Sequence, residues 1–248
     1  MAKPIHHRAA RAVRNILPLA AVTLALTSST PVAVQARSIE PPTTMRQEPR
    51  ADRPDVAETL LRQAPGLTAD ALRLALKATE KAAQEGLVSR RDLLTVIDYS
   101  LPSSQPRLFV FDLAQQKLLY RELVAHGVNS GGNLTTRFSN VLNSRATSIG
   151  LFVTAETYFG SNGYSLRLRG LDRGFNDQAL VRAIVMHGAP YVSDAAVRSM
   201  GRLGRSWGCP ALPAKISKEI IDQVKGGSPI FAYYPDPDWL GTSRFLKS

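Results

Sequence analysis

The sequence predicts a mainly β fold, in which short strands form a sandwich or a barrel-like sheet with a few short helices. From residue 93 onward, short apolar runs alternate with turn residues. Helical periodicity is confined to 56–90 and to two brief later segments. With 248 residues, 44% of them hydrophobic, the chain can hold one packed domain with appendages, and it contains no internal repeat.

The N-terminus has the three-part order of a secretory signal peptide. Basic residues from Lys3 to Arg14 precede an apolar segment over 16–26, and small residues follow as far as Ala36. The apolar part is too short to span a bilayer comfortably. We therefore expect cleavage after Ala36, export of the chain and no stable membrane span afterwards. An uncleaved anchor or a buried helix is the alternative interpretation.

Charge and cysteine content narrow the function classes. The whole chain has 31 basic and 20 acidic residues, and removing the four basic residues of 1–36 leaves 27 against 20, a formal charge of +7. This excess favours acidic substrates, and we expect no nucleic-acid partner. The single cysteine, Cys209, has no intramolecular disulfide partner. One cysteine with scattered histidines gives no metal-ligand pattern, so we expect no metal and no cofactor.

The next two segments are predicted from composition and periodicity. Residues 37–55 are rich in Pro, Arg and Thr, which predicts a flexible linker. Residues 56–90 predict a helical appendage: a short amphipathic turn precedes a helix that Thr68 caps and that runs to about Glu85. The main domain is expected over 91–236.

Strands dominate the main domain, and a C-terminal tail over 237–248 follows it. One short helix is expected between Ser193 and Gly201, and another after Ser217 that ends at Gly226. The predicted strands cover 93–99, 107–113, 117–124, 150–158, 164–168, 180–186 and 229–234.

Cys209 and His187 are the candidate nucleophile and base. Cys209 lies in Gly-Arg-Ser-Trp-Gly-Cys-Pro-Ala-Leu-Pro, residues 204–213, and His187 follows an apolar run that predicts a buried strand. An imidazole beside a thiol can take its proton. Gly208 leaves its own amide and that of Cys209 free to donate to an oxyanion. Gly188, beside His187, gives the backbone room to approach a partner. A structural cysteine and a core histidine are the alternative.

Other polar residues could take part in the same site. Arg198, Arg202 and Arg205 could favour a thiolate or bind carboxylates of a substrate, or form a solvated face. His126 is the one other histidine after the signal segment. It is expected at a strand end or cleft wall, with the role of base as a lesser alternative.

Ser206 offers a competing nucleophile, because Gly-Arg-Ser-Trp-Gly matches the G-x-S-x-G elbow of serine esterases. That elbow needs a helix after the serine and a histidine further along the chain. Here Cys-Pro-Ala-Leu-Pro follows, and no histidine comes after His187. The order of the residues therefore disfavours a serine hydrolase.

His187 together with Ser-Trp-Gly-Cys at 206–209 resembles the H-x(n)-[S/T]-x-G-C signature of L,D-transpeptidases with a YkuD-type catalytic domain, in particular the murein L,D-transpeptidase catalytic domain branch. The resemblance runs from about Leu94 to Tyr234. Further segments that resemble the branch are Val-Ile-Asp-Tyr-Ser (96–100), Phe-Ser-Asn (138–140), Thr-Ser-Ile-Gly-Leu-Phe (147–152), Gly-Tyr-Ser-Leu-Arg-Leu (163–168) and Gly-Phe-Asn-Asp (174–177).

The resemblance implies a periplasmic or cell-envelope enzyme that acts on peptidoglycan stem peptides by cysteine acyl transfer. It implies Cys209 as the acylated nucleophile and His187 as its base, oriented by a backbone carbonyl, with Asp172 and Asp177 open as alternatives. The candidate residues for the oxyanion hole and site shape are Gly208, Ser206 and Gly188, and the candidates for substrate binding are Arg205, Trp207, Arg202 and Tyr164.

The sequence also departs from the family pattern. Trp207 stands where histidine is common, Ala211 where a polar residue is common, and Ser148 where proline is common. Two alternatives to a transpeptidase stay open. One is an L,D-carboxypeptidase that uses the same Cys/His site with water as acceptor, and the other is a catalytically silent peptidoglycan-binding module. The sequence identifies no protein partner.

Overall fold

A computed structural model describes residues 55–247. The predicted signal peptide and almost all of the predicted linker lie outside these residues. In the part of the chain that is described, none of the helices has the length and apolar character needed to cross a membrane.

The described residues form eight strands and five α-helices. The strands are β1 (Leu93–Asp98), β2 (Leu108–Asp112), β3 (Lys117–Glu122), β4 (Gly150–Gly160), β5 (Gly163–Gly170), β6 (Val185–Ala189), β7 (Ala211–Pro213) and β8 (Pro229–Tyr233). The helices are α1 (Val56–Gln63), α2 (Ala69–Gln84), α3 (Asp194–Met200), α4 (Ala214–Val224) and α5 (Pro237–Thr242).

All eight strands belong to one sheet that nearly closes on itself. Their order is β3-β2-β1-β8-β4-β5-β6-β7. The β1–β8 and β6–β7 pairs are parallel, and the other pairs are antiparallel. Just beyond β3, the amide of Ala125 donates to the carbonyl of Ala211 in β7, at 2.9 Å. The two edges of the sheet therefore meet, and the predicted mainly β, barrel-like fold is confirmed.

The two faces of the sheet pack against different helices. Helices α1, α2 and α5 pack against the face that contains Val96 and Phe231. Helix α4 packs against the opposite face, which contains Ile97 and Met186. All six residues of β1, Leu-Leu-Thr-Val-Ile-Asp, are buried, and the sequence accordingly does not alternate between apolar and polar residues.

Helix α2 begins where the sequence predicts and is tied to the sheet. The Thr68 side chain accepts a hydrogen bond from the amide of Ala71, as an N-cap does. The same hydroxyl donates to Asp98 at the end of β1, at 2.7 Å. The helical segment at the N-terminal end of the described chain is thus packed on the sheet.

The short helix α3 also has its predicted ends. Ser193 caps its first turn, and Gly201 ends it in the left-handed conformation, at φ 68°.

The prediction of a strand over 180–186 was wrong in its first half. Strand β6 begins only at Val185, and the preceding residues form turns in which the amide of Ile184 donates to the carbonyl of Ala179, at 2.9 Å. Ala183 has a positive φ of 53°, which no strand residue adopts. The apolar side chain of Val181 is consequently exposed.

Helix α4 begins four residues earlier than predicted, at Ala214 instead of after Ser217. The Ser217 hydroxyl donates to the carbonyl of Ala214 inside the helix, so it does not cap the N-terminus.

Two elements have no counterpart in the sequence prediction. Strand β7 has three residues, and α5 lies in the segment predicted as a tail. In α5, Trp239 is fully buried and its ring centroid lies 5.3 Å from that of Phe231 in β8.

Replacing Trp239 with alanine should lower the free energy of unfolding by about 3–5 kcal/mol, because it empties a large volume of the core. Urea unfolding of the variant measures this. Asp238→Ala, at the exposed neighbouring position, should change stability by less than about 1 kcal/mol. Equal, small effects of the two substitutions would mean that α5 contributes nothing to the core.

Candidate active site

The loop that carries Cys209 is anchored to the chain segment that follows β3. The amide of Ser206 donates to the carbonyl of His126, at 3.0 Å, and the carbonyl of Ser206 accepts from the amide of Val128, at 2.9 Å. A Cβ atom on Gly127 would lie 3.0 Å from Gly208 Cα, so this close approach needs glycine. These bonds fix the loop at the seam where the barrel closes.

Inside the loop, Ser206 shapes the turn that precedes Cys209. Its hydroxyl donates to the carbonyl of Cys209, at 2.6 Å, and accepts from the amide of Gly208, at 3.1 Å. Gly208 has φ 117°, and a Cβ there would lie 2.7 Å from the carbonyl oxygen of Ala146. The hydroxyl proton of Ser206 is thus used inside the turn and is not shared with a histidine.

One of the two predicted oxyanion donors is already engaged. The amide of Gly208 points at Ser206 Oγ. Within residues 55–247, the amide of Cys209 has no protein acceptor. The Cys209 amide is therefore the donor that is available to a ligand at the thiol.

The Cys209 thiol lies beside the first residue of β6. Its Sγ accepts from the amide of Val185, at 3.4 Å, and the thiol donates to the carbonyl of Ala183, at 3.7 Å. Burial raises the pKa of Cys209 above its ordinary value, while the Val185 amide and the positive charge of Arg182 act in the opposite direction. At neutral pH the resting side chain is therefore the protonated thiol.

The His187 ring is buried and has a defined tautomer. Its Nδ1 lies 3.0 Å from the carbonyl oxygen of Gly188. Because a carbonyl can only accept, Nδ1 carries the proton and the lone pair is on Nε2. Burial lowers the pKa of His187, against a smaller opposing effect of the Gly188 bond, so the ring is neutral at pH 7.

The β6–β7 pairing brings Cys209 close to β6. His187 pairs with Ala211 in the parallel ladder, and Cys209, just before β7, has its Sγ within hydrogen-bonding distance of the Val185 amide. Val185 and His187 are two residues apart on β6, which corresponds to about 6.6 Å along the strand. The thiol is therefore anchored to the strand that carries His187, two residues before it.

Gly188, the residue after His187, allows α4 to pack closely against β6. A Cβ atom on Gly188 would lie 2.4 Å from Ser217 Oγ and 3.2 Å from Ala214 Cα. The close approach of the helix to β6 therefore requires glycine.

Among residues 55–247, no carboxylate forms a hydrogen bond with the His187 ring. Asp172 accepts from the amide of Leu151, and Asp177 accepts from the side chain of Asn140. Both acids thus serve other parts of the fold, and the Gly188 carbonyl is the group that holds the ring.

The second histidine, His126, is fully buried against Arg107. Its Nδ1 lies 2.7 Å from Nη2 of Arg107, which can only donate, so the ring is an acceptor there. Burial, together with the charges of Arg107 and Arg205, lowers the pKa of His126 to about 3. The ring lies between Arg107 and the carbonyl of Gly131, which also accepts from Arg205 in the loop that carries Cys209.

Most of the predicted substrate-binding residues have other partners. Arg205 donates to the carbonyls of Gly131 and Leu203, and Arg202 also donates to Leu203. Trp207, in contrast, is exposed, with 72% of its surface accessible.

Arg198 lies away from Cys209, on α3. It lines a separate cavity of about 460 Å³ together with Glu122 and Lys215.

Tyr164 faces the side of the sheet opposite to His187. Its neighbour Ser165 pairs with His187, and alternate residues point to opposite faces. The Tyr164 hydroxyl donates to Asp222 on α4, at 2.7 Å. The ring therefore packs against the helix rather than beside Cys209.

Two arginines near the thiol escaped the sequence prediction. Arg182 acts electrostatically on Cys209, and with Arg145 it lines a cavity of about 450 Å³ next to Trp207. The one available signal was that Arg182 interrupts an apolar run; nothing in the sequence indicates Arg145.

The comparisons with known proteins identify the family. The family model described as L,D-transpeptidase catalytic domain matches residues 63–233. This is more than half of the chain, and the protein therefore belongs to that family. No curated protein matches the chain significantly.

Several solved L,D-transpeptidase structures are similar to parts of the chain. One from Mycobacterium smegmatis has 17% identity over 58% of this chain and 59% of its own, with a TM-score of 0.36. L,D-transpeptidase 1 from Mycobacterium tuberculosis has 16% identity over 58% and 62%, with a TM-score of 0.32. One from Stackebrandtia nassauensis has 14% identity over 67% of both, with a TM-score of 0.36. The chain thus spans about three fifths of the length of the two mycobacterial proteins.

The pH dependence of thiol alkylation tests the electrostatics of the site. In the resting protein, the iodoacetamide rate should rise with a midpoint above the ordinary cysteine pKa, because burial favours the neutral thiol. Arg182→Gln should move the midpoint higher still, and Arg182→Lys should move it less. A midpoint near neutrality would instead indicate a preformed thiolate–imidazolium pair.

Proposed function

We propose that the protein is a peptidoglycan L,D-transpeptidase that works by acyl transfer through Cys209. The observation that carries the proposal is the anchoring of the Cys209 thiol to the Val185 amide of β6, the strand that carries His187 two residues further on. Membership of the L,D-transpeptidase catalytic domain family gives the substrate class.

In the first half-reaction, Nε2 of His187 takes the proton of the Cys209 thiol as Sγ attacks a carbonyl carbon. The carbonyl is that of the third residue in a tetrapeptide stem. The bond to the fourth residue breaks, its nitrogen receives the proton from His187, and D-alanine leaves. The stem is then held as a thioester on Cys209.

In the second half-reaction, a side-chain amine of another stem attacks the thioester. His187 accepts a proton from the attacking amine and returns one to the departing sulfur. An amide forms between the two stems, the bond to sulfur breaks and the free thiol is restored.

The amide of Cys209 supports the oxyanion of both steps. It lies on the nucleophile itself and has no acceptor within the described part of the chain. A backbone donor fixed by neighbouring bonds stabilises developing charge without reorganisation. Ser206 holds the turn that aims this donor, and Gly208 permits its geometry.

Location and domain organisation are part of the proposal. Removal of 1–36 would export a chain that carries 27 basic and 20 acidic residues, which suits stems with several carboxylates. We assign 37–55 as a linker to the envelope-facing domain and the helices of 56–90 as a support for its sheet. This support is consistent with the packing of α2 on β1.

Products formed from isolated peptidoglycan test the function. The mature chain should form cross-links between the third residues of two stems, which mass spectrometry of digested walls detects. Trimmed tripeptides alone would mean that water is the acceptor, as in a carboxypeptidase. Retained wall binding with neither product would mean a binding module.

Two substitutions in the same loop separate the nucleophiles. Cys209→Ala should abolish both products, because no acyl-enzyme can form. Ser206→Ala should leave measurable activity, reduced roughly tenfold to a hundredfold, because it loses two hydrogen bonds of the turn but no reacting atom. An active Cys209→Ala variant with a dead Ser206→Ala variant would contradict the assignment.

A further inference from the structure

A polar cavity of about 450 Å³ opens beside the loop that carries Cys209. We call it the arginine–tryptophan cavity; its lining residues are Asn129, Asn143, Arg145, Arg182 and Trp207. Two of them are cationic and none is acidic. Trp207 is two residues from Cys209, and the charge of Arg182 acts on the thiol itself. Arg182 also donates to the carbonyl of Ala146, whose oxygen lies against Gly208, the residue before Cys209. The cavity therefore adjoins the loop that carries the thiol.

Arg145 is a cationic lining residue whose guanidinium has free hydrogen-bond donors. Its guanidinium carbon lies 4.6 Å from the centroid of the Trp207 ring, in a cation–π arrangement. Within residues 55–247 no acceptor pairs with its N–H groups. A guanidinium presents its donors in a planar fork that matches a carboxylate. Stacking on the indole restricts this fork and leaves its edge open to a ligand.

Arg182 supplies fixed charge to the same cavity. Its guanidinium donates to the carbonyls of Ser139 and Ala146, each at 2.6 Å, and to the hydroxyls of Ser144 and Ser148. These acceptors are neutral, so the positive charge is not cancelled. A half-buried, uncompensated cation raises the local concentration of anions.

The segment that carries Arg145 has a specific backbone conformation. Asn143 and Arg145 have positive φ angles of 60° and 52°, which are uncommon for residues other than glycine. The Asn129 side chain donates to the carbonyl of Ser144 between them, at 2.9 Å. The Arg182 bonds to Ser144 and Ala146 flank the same point. The conformation that aims Arg145 at Trp207 is therefore held from two sides.

We propose that the arginine–tryptophan cavity binds a carboxylate of the acyl-donor stem through Arg145, with Trp207 as the platform that orients the guanidinium. The inference rests on the proposed function. The carboxylate meant is the one on the side chain of the third residue, which stays on the enzyme in the thioester after the fourth residue leaves. The enzyme accordingly prefers a stem with a free carboxylate on that residue to one in which it is amidated.

Binding of two matched peptides to the Cys209→Ala variant tests the preference. The probes are tetrapeptide stems with a diamino acid at the third position, one with its side-chain carboxylate free and one with the carboxamide. Titration calorimetry should show tighter binding of the free acid by about tenfold or more, because the charge-assisted bond is lost in the amide. No turnover is needed, so the result is independent of whether cross-links form.

Three further variants, each combined with Cys209→Ala, assign the preference to the cavity. Arg145→Gln should bring the two affinities to within about twofold, and Arg145→Lys should retain part of the preference. Trp207→Ala should reduce the ratio, because the guanidinium loses its platform. Arg73→Gln removes a charge from an exposed position on α2 and is the matched control, which should keep the full ratio.

Equal binding of acid and amide in the parent protein, or no binding of either, would overturn the carboxylate site. A preference that survives Arg145→Gln in a variant with unchanged thermal stability would overturn the role of Arg145. The proposed transpeptidase activity is judged separately, by the products of the protein with Cys209 intact.

Discussion

The site depends on the hydrogen-bonded seam that closes the barrel. The segment after β3 forms two hydrogen bonds across the seam. The amide of Ala125 donates to Ala211 in β7, and the carbonyl of His126 accepts from Ser206 in the loop that carries Cys209. Behind the seam, Arg107 is fully buried and donates through Nε and Nη2 to the carbonyl of Val124. Burial lowers the pKa of Arg107 to about 10, so the group is still charged at neutral pH. A buried cation whose donors are used by backbone carbonyls makes this segment costly to displace.

Held at that seam, the thiol and the imidazole are both neutral at rest. Burial disfavours the charged form of each, which raises the pKa of Cys209 and lowers that of His187. In the proposed mechanism, charge separation would wait until a substrate carbonyl is present, when the Cys209 amide and the Arg182 charge would stabilise the negative atoms. A low-dielectric pocket strengthens these interactions at the moment when charge develops.

Much of this arrangement was predictable, because it depends on local patterns. Thr68 and Ser193 mark helix starts, and apolar runs mark most strands. The rest depends on long-range contacts. The run over 180–186 reads as a strand, but Arg182 bonds to a loop some 40 residues earlier and keeps its own segment in turns. Strand β7 is too short, and too close to prolines, to show a period.

The same dependence on long-range contacts explains why the arginines chosen from the sequence differ from those that line the cavity beside Trp207. Arg202 and Arg205 are near Cys209 in sequence, yet each donates to backbone carbonyls of the fold. Arg145 is 64 positions from Cys209 in the sequence and reaches the cavity through contacts of its own segment with Arg182. The resemblance to the family left Trp207 unexplained, and its stacking with Arg145 gives this departure a physical role.

Intact-mass measurement of the protein after brief exposure to a tetrapeptide stem tests the central claim most directly. The account predicts an adduct equal to the stem minus D-alanine that is labile to hydroxylamine, as a thioester is. Because Ser206 and Cys209 share the tryptic peptide 206–215, fragmentation of that peptide should assign the adduct to Cys209. An adduct on Ser206, or release of D-alanine with no covalent species under conditions where the acceptor is absent, would contradict it.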